Sequence, residues 1–202
     1  MDWGNASDII SAGCNVAMAA AAGYAAFNAK QWFSQRSHTK GFDKAEELLS
    51  KIDIQYEYTV KLRKSLSDMW DYLENIEKEI TLFNKEKNDF YSGLVVQCNN
   101  NIQNIEKIMH DLQIIERWSV RIKKPEYIYD VLFSFLELYS CFKMLCLTFD
   151  LNMEIYFKNS DSELTNSAFR NNYRETKNAL IKNDKQYNSL TKHKFTQLFS
   201  IK

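Results

Sequence analysis

The side chains able to do chemistry are scattered along this 202-residue chain. His38, His110 and His193 stand alone, none at i, i+3 or i+4 from another His or Cys. That spacing gives no zinc site. Cys14, Cys98, Cys141 and Cys146 form no CxxC pair and read as reduced, buried thiols rather than a secreted disulfide framework. Glu46 with Glu47, and Glu77 with Glu79, read as solvated carboxylates on outer helix faces. Arg117, Arg121, Lys123 and Lys124 make a short basic patch. It suits the C-terminal dipole of a helix and is too small to imply nucleic acid. With 5 glycines in the chain, no phosphate-cradling loop and no nucleophile elbow can be found. No cofactor is implied, and the chain reads as non-enzymatic.

The elements that would position these residues are helices. One proline and few glycines argue against a turn-rich sheet protein. A formal net charge of zero, from 26 basic and 26 acidic residues, gives no global field toward nucleic acid. The predicted fold is all-α: one transmembrane helix, then a long-helix antiparallel, coiled-coil-like bundle.

Residues 9–29 (IISAGCNVAMAAAAGYAAFNA) carry no charge. Twenty-one helical residues at about 1.5 Å each reach across a hydrocarbon core. Trp3 precedes the stretch, and Trp32 and Phe33 follow it, where aromatic belts sit. Lys30, Arg36 and Lys40 follow as a topology signal with possible headgroup contact. They predict a bacterial inner-membrane protein, N-terminus out and bundle in the cytoplasm. The missing basic n-region argues against a cleaved signal peptide. Insertion is weakly favourable, about −2 kcal/mol from Ile9, Ile10, Val16 and Phe27. Gly13, Ala17, Ala21, Ala25 and Ala29 recur every four residues. Such a small-residue stripe lets helices approach closely in lipid and predicts a homo-oligomer.

The predicted domains are a short extracytoplasmic segment (1–8), the span (9–29), a basic juxtamembrane segment (30–41) and the bundle (42–202). From Phe42 apolar residues step by threes and fours, with Gln55 and Thr59 as polar interruptions. The seam is fully apolar at Leu62, Leu66, Met69, Leu73, Ile76, Ile80 and Phe83. A turn is expected over 84–93, then a helix ending near Lys124, because Pro125 biases its predecessor away from helical dihedrals. Pro125 suits the first position of the next helix. Residues 127–149 are apolar almost all round, yet contain Asp130, Glu137 and Lys143. They read as the central core helix rather than a second span. A break over 159–163, with Ser160 and Glu163 at capping-box spacing, precedes a last amphipathic helix. The C-terminal KHKFTQLFSIK reads as a frayed tail or a membrane-touching segment.

The layout of one N-terminal span and a cytoplasmic helical bundle resembles small bacterial membrane proteins. Among these are effectors that act on the inner membrane in phage-defence or toxin systems. The resemblance covers the layout and no residue motif. It implies a membrane-anchored interaction protein that self-associates, has a protein partner, and perturbs the bilayer when clustered. The competing expectation is a soluble subunit that buries the Ala-rich helix inside a larger complex.

Overall fold

The computed structural model describes residues 6–80, 82–158 and 163–201, with side chains for all of these except 6–9 and 33–38. Four long helices carry the chain: α1 (Ala6–Glu77), α2 (Lys85–Ile114), α3 (Pro125–Lys158) and α4 (Ser167–Thr191). A 3₁₀ turn (Ile115–Trp118) and strand β1 (Val120–Ile122) lie between α2 and α3. A short helix α5 (Phe195–Leu198) and strand β2 (Phe199–Ile201) follow α4. The all-α bundle is as the sequence implies.

Side-chain pairs between helices set an antiparallel, up-down-up-down register. Lys51 pairs with Asp111, and Tyr72 packs on Tyr91, so α2 runs back along α1. Ser92 donates to Asp150, and α3 therefore returns along α2. Asn183 donates to Ser134 at 2.8 Å and Asn172 to Thr148 at 2.6 Å, so α4 runs down α3. Tyr187 donates to Asp53, and Arg63 pairs with Asp184, which closes α4 onto α1.

α3 is the centre. Its buried apolar residues lie in three rows with a period of seven: Ile128, Phe135, Phe142 and Phe149; Val131, Leu138 and Leu145; Leu132, Tyr139, Cys146 and Met153. Three of seven heptad positions make one broad core-facing stripe, and Phe133, Met144, Leu147 and Leu151 on the other side of α3 are exposed. Pro125 opens it, as its locked φ suits a first helical residue. On α1, Ala45, Leu48, Ile52, Gln55, Thr59, Leu62, Leu66, Met69, Leu73 and Ile76 are all buried. The two polar positions on that seam are satisfied. The Tyr139 hydroxyl donates to Gln55, its proton shared between Oε1 at 3.2 Å and the backbone O at 3.1 Å, and Thr59 donates to the Tyr56 carbonyl.

Several sequence expectations are corrected. The seam ends at Ile76: Ile80 and Phe83 lie beyond α1, 69% and 43% exposed. The turn therefore falls before Asn84 rather than over 84–93. Glu79 takes a left-handed φ of 55°, and the Ile80 N–H reaches back to Asn75 O. Asn84 then caps α2, its side chain accepting from the Lys87 N–H at 2.9 Å, while its own N–H donates to the Tyr72 hydroxyl. α2 stops at Ile114, ten residues short of Lys124. The 3₁₀ turn and the left-handed Ser119 (φ 62°) turn the chain into β1 instead. Glu77 is not a solvated carboxylate: it accepts from the Thr165 N–H at 2.6 Å and from its hydroxyl at 2.8 Å. The start of α4 is capped by Asn166, accepting from Phe169 N–H, whereas Ser160 lies outside the described residues. The C-terminal segment is no frayed tail. β2 pairs antiparallel with β1, Arg121 opposite Ser200, and Leu198 and Phe199 are buried.

Candidate membrane anchor and its junction with the bundle

α1 is one unbroken helix of 72 residues, about 108 Å long, so the apolar segment, the basic segment over 30–41 and the first bundle helix are one element. Within it, Ile10–Trp32 is 23 residues with a mean hydropathy of 1.3 and no part buried against the rest of the chain. Ile10, Val16, Met18, Tyr24 and Phe27 are each 62–70% exposed. The segment is long and apolar enough to cross a membrane, a property that a signal sequence shares. α3 (Pro125–Lys158) is longer, at 34 residues, and similarly apolar, with a mean hydropathy of 1.5, but half of its apolar stretch is buried in the bundle. The bundle thus covers one side of one apolar helix and leaves the other helix wholly uncovered.

Gly13, Ala17, Ala21, Ala25 and Ala29 are all exposed, and a Cβ built on Gly13 or Gly23 meets nothing within 4 Å. Helical phase carries through the unbroken α1 at about 100° per residue. The stripe, centred on Ala21, therefore lies roughly 150° around the helix from the face formed by Gly41, Ala45, Leu48 and Ile52. The bundle hangs on the opposite side from the small residues. Lys30 and Lys40 are exposed on the same helix, and the side chain of Arg36 lies outside the described residues.

The junction is Gly41. A Cβ there would sit 2.5 Å from the Trp118 carbonyl oxygen, 3.1 Å from Val120 Cγ2 and 3.5 Å from Ile201 Cγ2. Its helical φ is one that any residue adopts. The glycine is required by the close approach of two backbones. Phe42 packs on Phe195 at 4.7 Å between ring centres. The Lys123 N–H donates to Leu198 O at 2.7 Å, and its ammonium donates to Thr196 O at 2.9 Å. The 3₁₀ turn, β1, α5 and β2 thus form a collar around α1 where it enters the bundle. The basic patch at Arg117–Lys124 belongs to this collar, not to the end of an α-helix.

Elsewhere the reactive side chains are spent on structure. Cys98 and Cys146 are buried thiols, and desolvation pushes Cys98 up to about 12 and Cys146 higher still. Both are held protonated and poorly nucleophilic. Glu47, hydrogen-bonded to Lys44 and Lys51, is held down at about 2. Lys51 in turn is raised by Glu47 and Asp111. Together these charges line a groove of about 190 Å³ between α1 and α2. His193 lies against Tyr127, with Nδ1 3.0 Å from Ser189 O. Among the described residues no group of three His, Cys, Asp or Glu is arranged to hold a metal ion.

No protein-family model matches this chain, and no curated protein or solved structure matches it either. Its functional reading rests on its own geometry. In the sequence, uncharged length located the uncovered helix, and spacing by fours located its stripe. It missed Gly41, whose role depends on contacts with residues 118, 120 and 201, and for which no local signal exists.

Proposed function

We propose that this chain is a membrane-anchored helical interaction protein without enzymatic activity, held in a bacterial inner membrane by Ile10–Trp32 and self-associating through it. The observation that carries the proposal is a 23-residue apolar helix left wholly uncovered by a bundle that half-buries its other apolar helix. An exposed apolar surface of that size calls for lipid or protein around it. The stripe from Gly13 to Ala29, turned away from the bundle, lets two copies pack back to back with their bundles splayed outward. Lys30, Arg36 and Lys40 favour a cytoplasmic bundle. Rigid continuity of α1 then links span association to bundle spacing. A protein partner on the bundle would in this way control clustering, and clustered spans of low apolarity would perturb the bilayer.

Carbonate-washed membranes test the anchor. The full chain is expected to stay with the membrane, and Ala21→Arg with Ala25→Arg to be released. Each arginine near mid-bilayer costs about 2.5–3.5 kcal/mol, more than the span's own preference. Wild-type protein soluble without detergent would refute the anchor. Gly13→Leu with Ala17→Leu is expected to reduce oligomer size in detergent and, if clustering perturbs the bilayer, membrane permeability with it. Unchanged oligomer size would refute self-association through this stripe.

A further inference from the structure

The chain's zero net charge conceals a separation of charge between the two ends of the bundle. Up-down-up-down topology brings the start of α1's bundle portion, the end of α2, the start of α3 and the end of α4 to one end. At this base seven exposed or half-exposed basic residues gather from three separate stretches: Lys40, Arg117, Arg121, Lys123, Lys124, Lys192 and Lys194. None of the seven makes an ion pair with another described residue. The acidic residues beside them are Asp43, Glu46, Glu47, Glu116 and Glu126, and Glu47 is already paired with Lys44 and Lys51. The opposite end leans acidic, with Glu74, Glu79, Glu86, Asp89, Glu154 and Glu163 against Lys78, Lys85, Lys87, Lys158 and Arg170.

The basic end is the one that faces the anchor. Gly41 lies nine residues beyond Trp32 on the same helix, about 13 Å along its axis. A headgroup layer of about 5–8 Å plus one Debye length of about 8 Å covers that distance. Trp118 and Phe42, 39% and 42% exposed, stand at the same end, and aromatic rings of this kind settle at headgroup depth.

We infer that the collar at the base of the bundle is a second membrane contact, docking Arg117, Arg121, Lys192 and their neighbours onto anionic lipid headgroups. The inference rests on the anchor reading above. Charge complementarity and continuity with the anchor select a lipid surface over nucleic acid: a tethered bundle already holds this face against the headgroups. Docking would set the bundle's tilt, so lipid composition would control how far paired bundles splay.

Backbone hydrogen exchange of the full chain in lipid nanodiscs tests this. Discs of phosphatidylcholine alone are compared with discs containing roughly 30% phosphatidylglycerol. Exchange over 116–124 and 192–201 is expected to slow at least about tenfold in the anionic discs only. Raising NaCl from about 0.05 to 0.5 M should remove the protection. Arg117→Glu with Arg121→Glu and Lys192→Glu should abolish it, while Arg117→Lys with Arg121→Lys and Lys192→Arg retains it. Exchange over 128–142 reports whether each variant is folded, and the wild-type salt series decides the matter if the charge-reversed chain is not. Equal exchange in both discs, with the chain retained after carbonate washing, overturns the docking and leaves the anchor standing. Protection by duplex DNA beside neutral discs, with none from anionic lipid, overturns it in favour of nucleic acid. A chain that carbonate strips from membranes refutes the anchor and the docking together.

Discussion

Gly41→Ala isolates the junction on which the architecture depends. In an open helix this change is favourable by up to about 1 kcal/mol, because glycine is a poor interior helix residue. At Gly41 the added methyl would meet the Trp118 carbonyl oxygen at 2.5 Å, closer than carbon and oxygen tolerate, with Val120 Cγ2 at 3.1 Å on its other side. The first obstacle is backbone, fixed by the turn into β1, so it cannot rotate away. Relief requires α1 and the collar to separate by several tenths of an ångström. Overpacking of this kind costs about 1–3 kcal/mol, and a backbone obstacle belongs at the upper end. The net expectation is a loss of about 1–2 kcal/mol. For a chain of this size that lowers Tm by about 2–8 °C. Gly93→Ala is the internal control: it lies in α2 with nothing within 4 Å, so the same change there should raise stability by about 0.5–1 kcal/mol. Both are measured on the full chain in one detergent by thermal unfolding, with exchange over 116–124 read in parallel. Gly41→Ala as stable as wild type, with collar exchange unchanged, would refute the close approach and with it the rigid coupling of the N-terminal apolar segment to the bundle.

Two further outcomes follow from the bundle interior. Tyr139→Phe leaves the buried Gln55 side chain without its hydroxyl partner and should cost about 1–3 kcal/mol, most of it restored by adding Gln55→Leu; a coupling below about 0.5 kcal/mol in denaturant unfolding would contradict the pair. Cys98, held near 12, should resist maleimide at pH 8 in the folded chain and react only on unfolding. Because its folded value is raised, the protonated thiol's contribution to stability is complete below the ordinary thiol value of 9.0 and lost as pH rises through about 12. Labelling of the folded chain at a free-thiol rate would count against that burial.

The sequence by itself determined what depends on local pattern. Uncharged length marked residues 9–29, and spacing by threes and fours marked the α1 seam through Gln55 and Thr59 as far as Ile76. The fixed φ of Pro125 marked the start of α3, and a nearly all-round apolar surface marked α3 as the centre. These features need only a helix and its period.

The tertiary structure decided what depends on residues far apart. Where α1 stops is set by Tyr72 holding Asn84 and by Glu77 reaching Thr165, 88 positions away. Periodicity ran on to Ile80 and Phe83 because nothing local interrupts it. The three-residue strands β1 and β2 are too short for a pattern of alternation, and they form only because the ends of α2 and α4 meet there. Gly41 acquires its constraint from the same meeting. The basic base is the clearest instance. In the sequence Arg117, Arg121 and Lys124 stand far from Lys40 and from Lys192 and Lys194, and opposite charges elsewhere cancel them in any sum. Antiparallel packing sorts the charges by helix end, so one balanced chain presents a basic face toward its uncovered apolar helix.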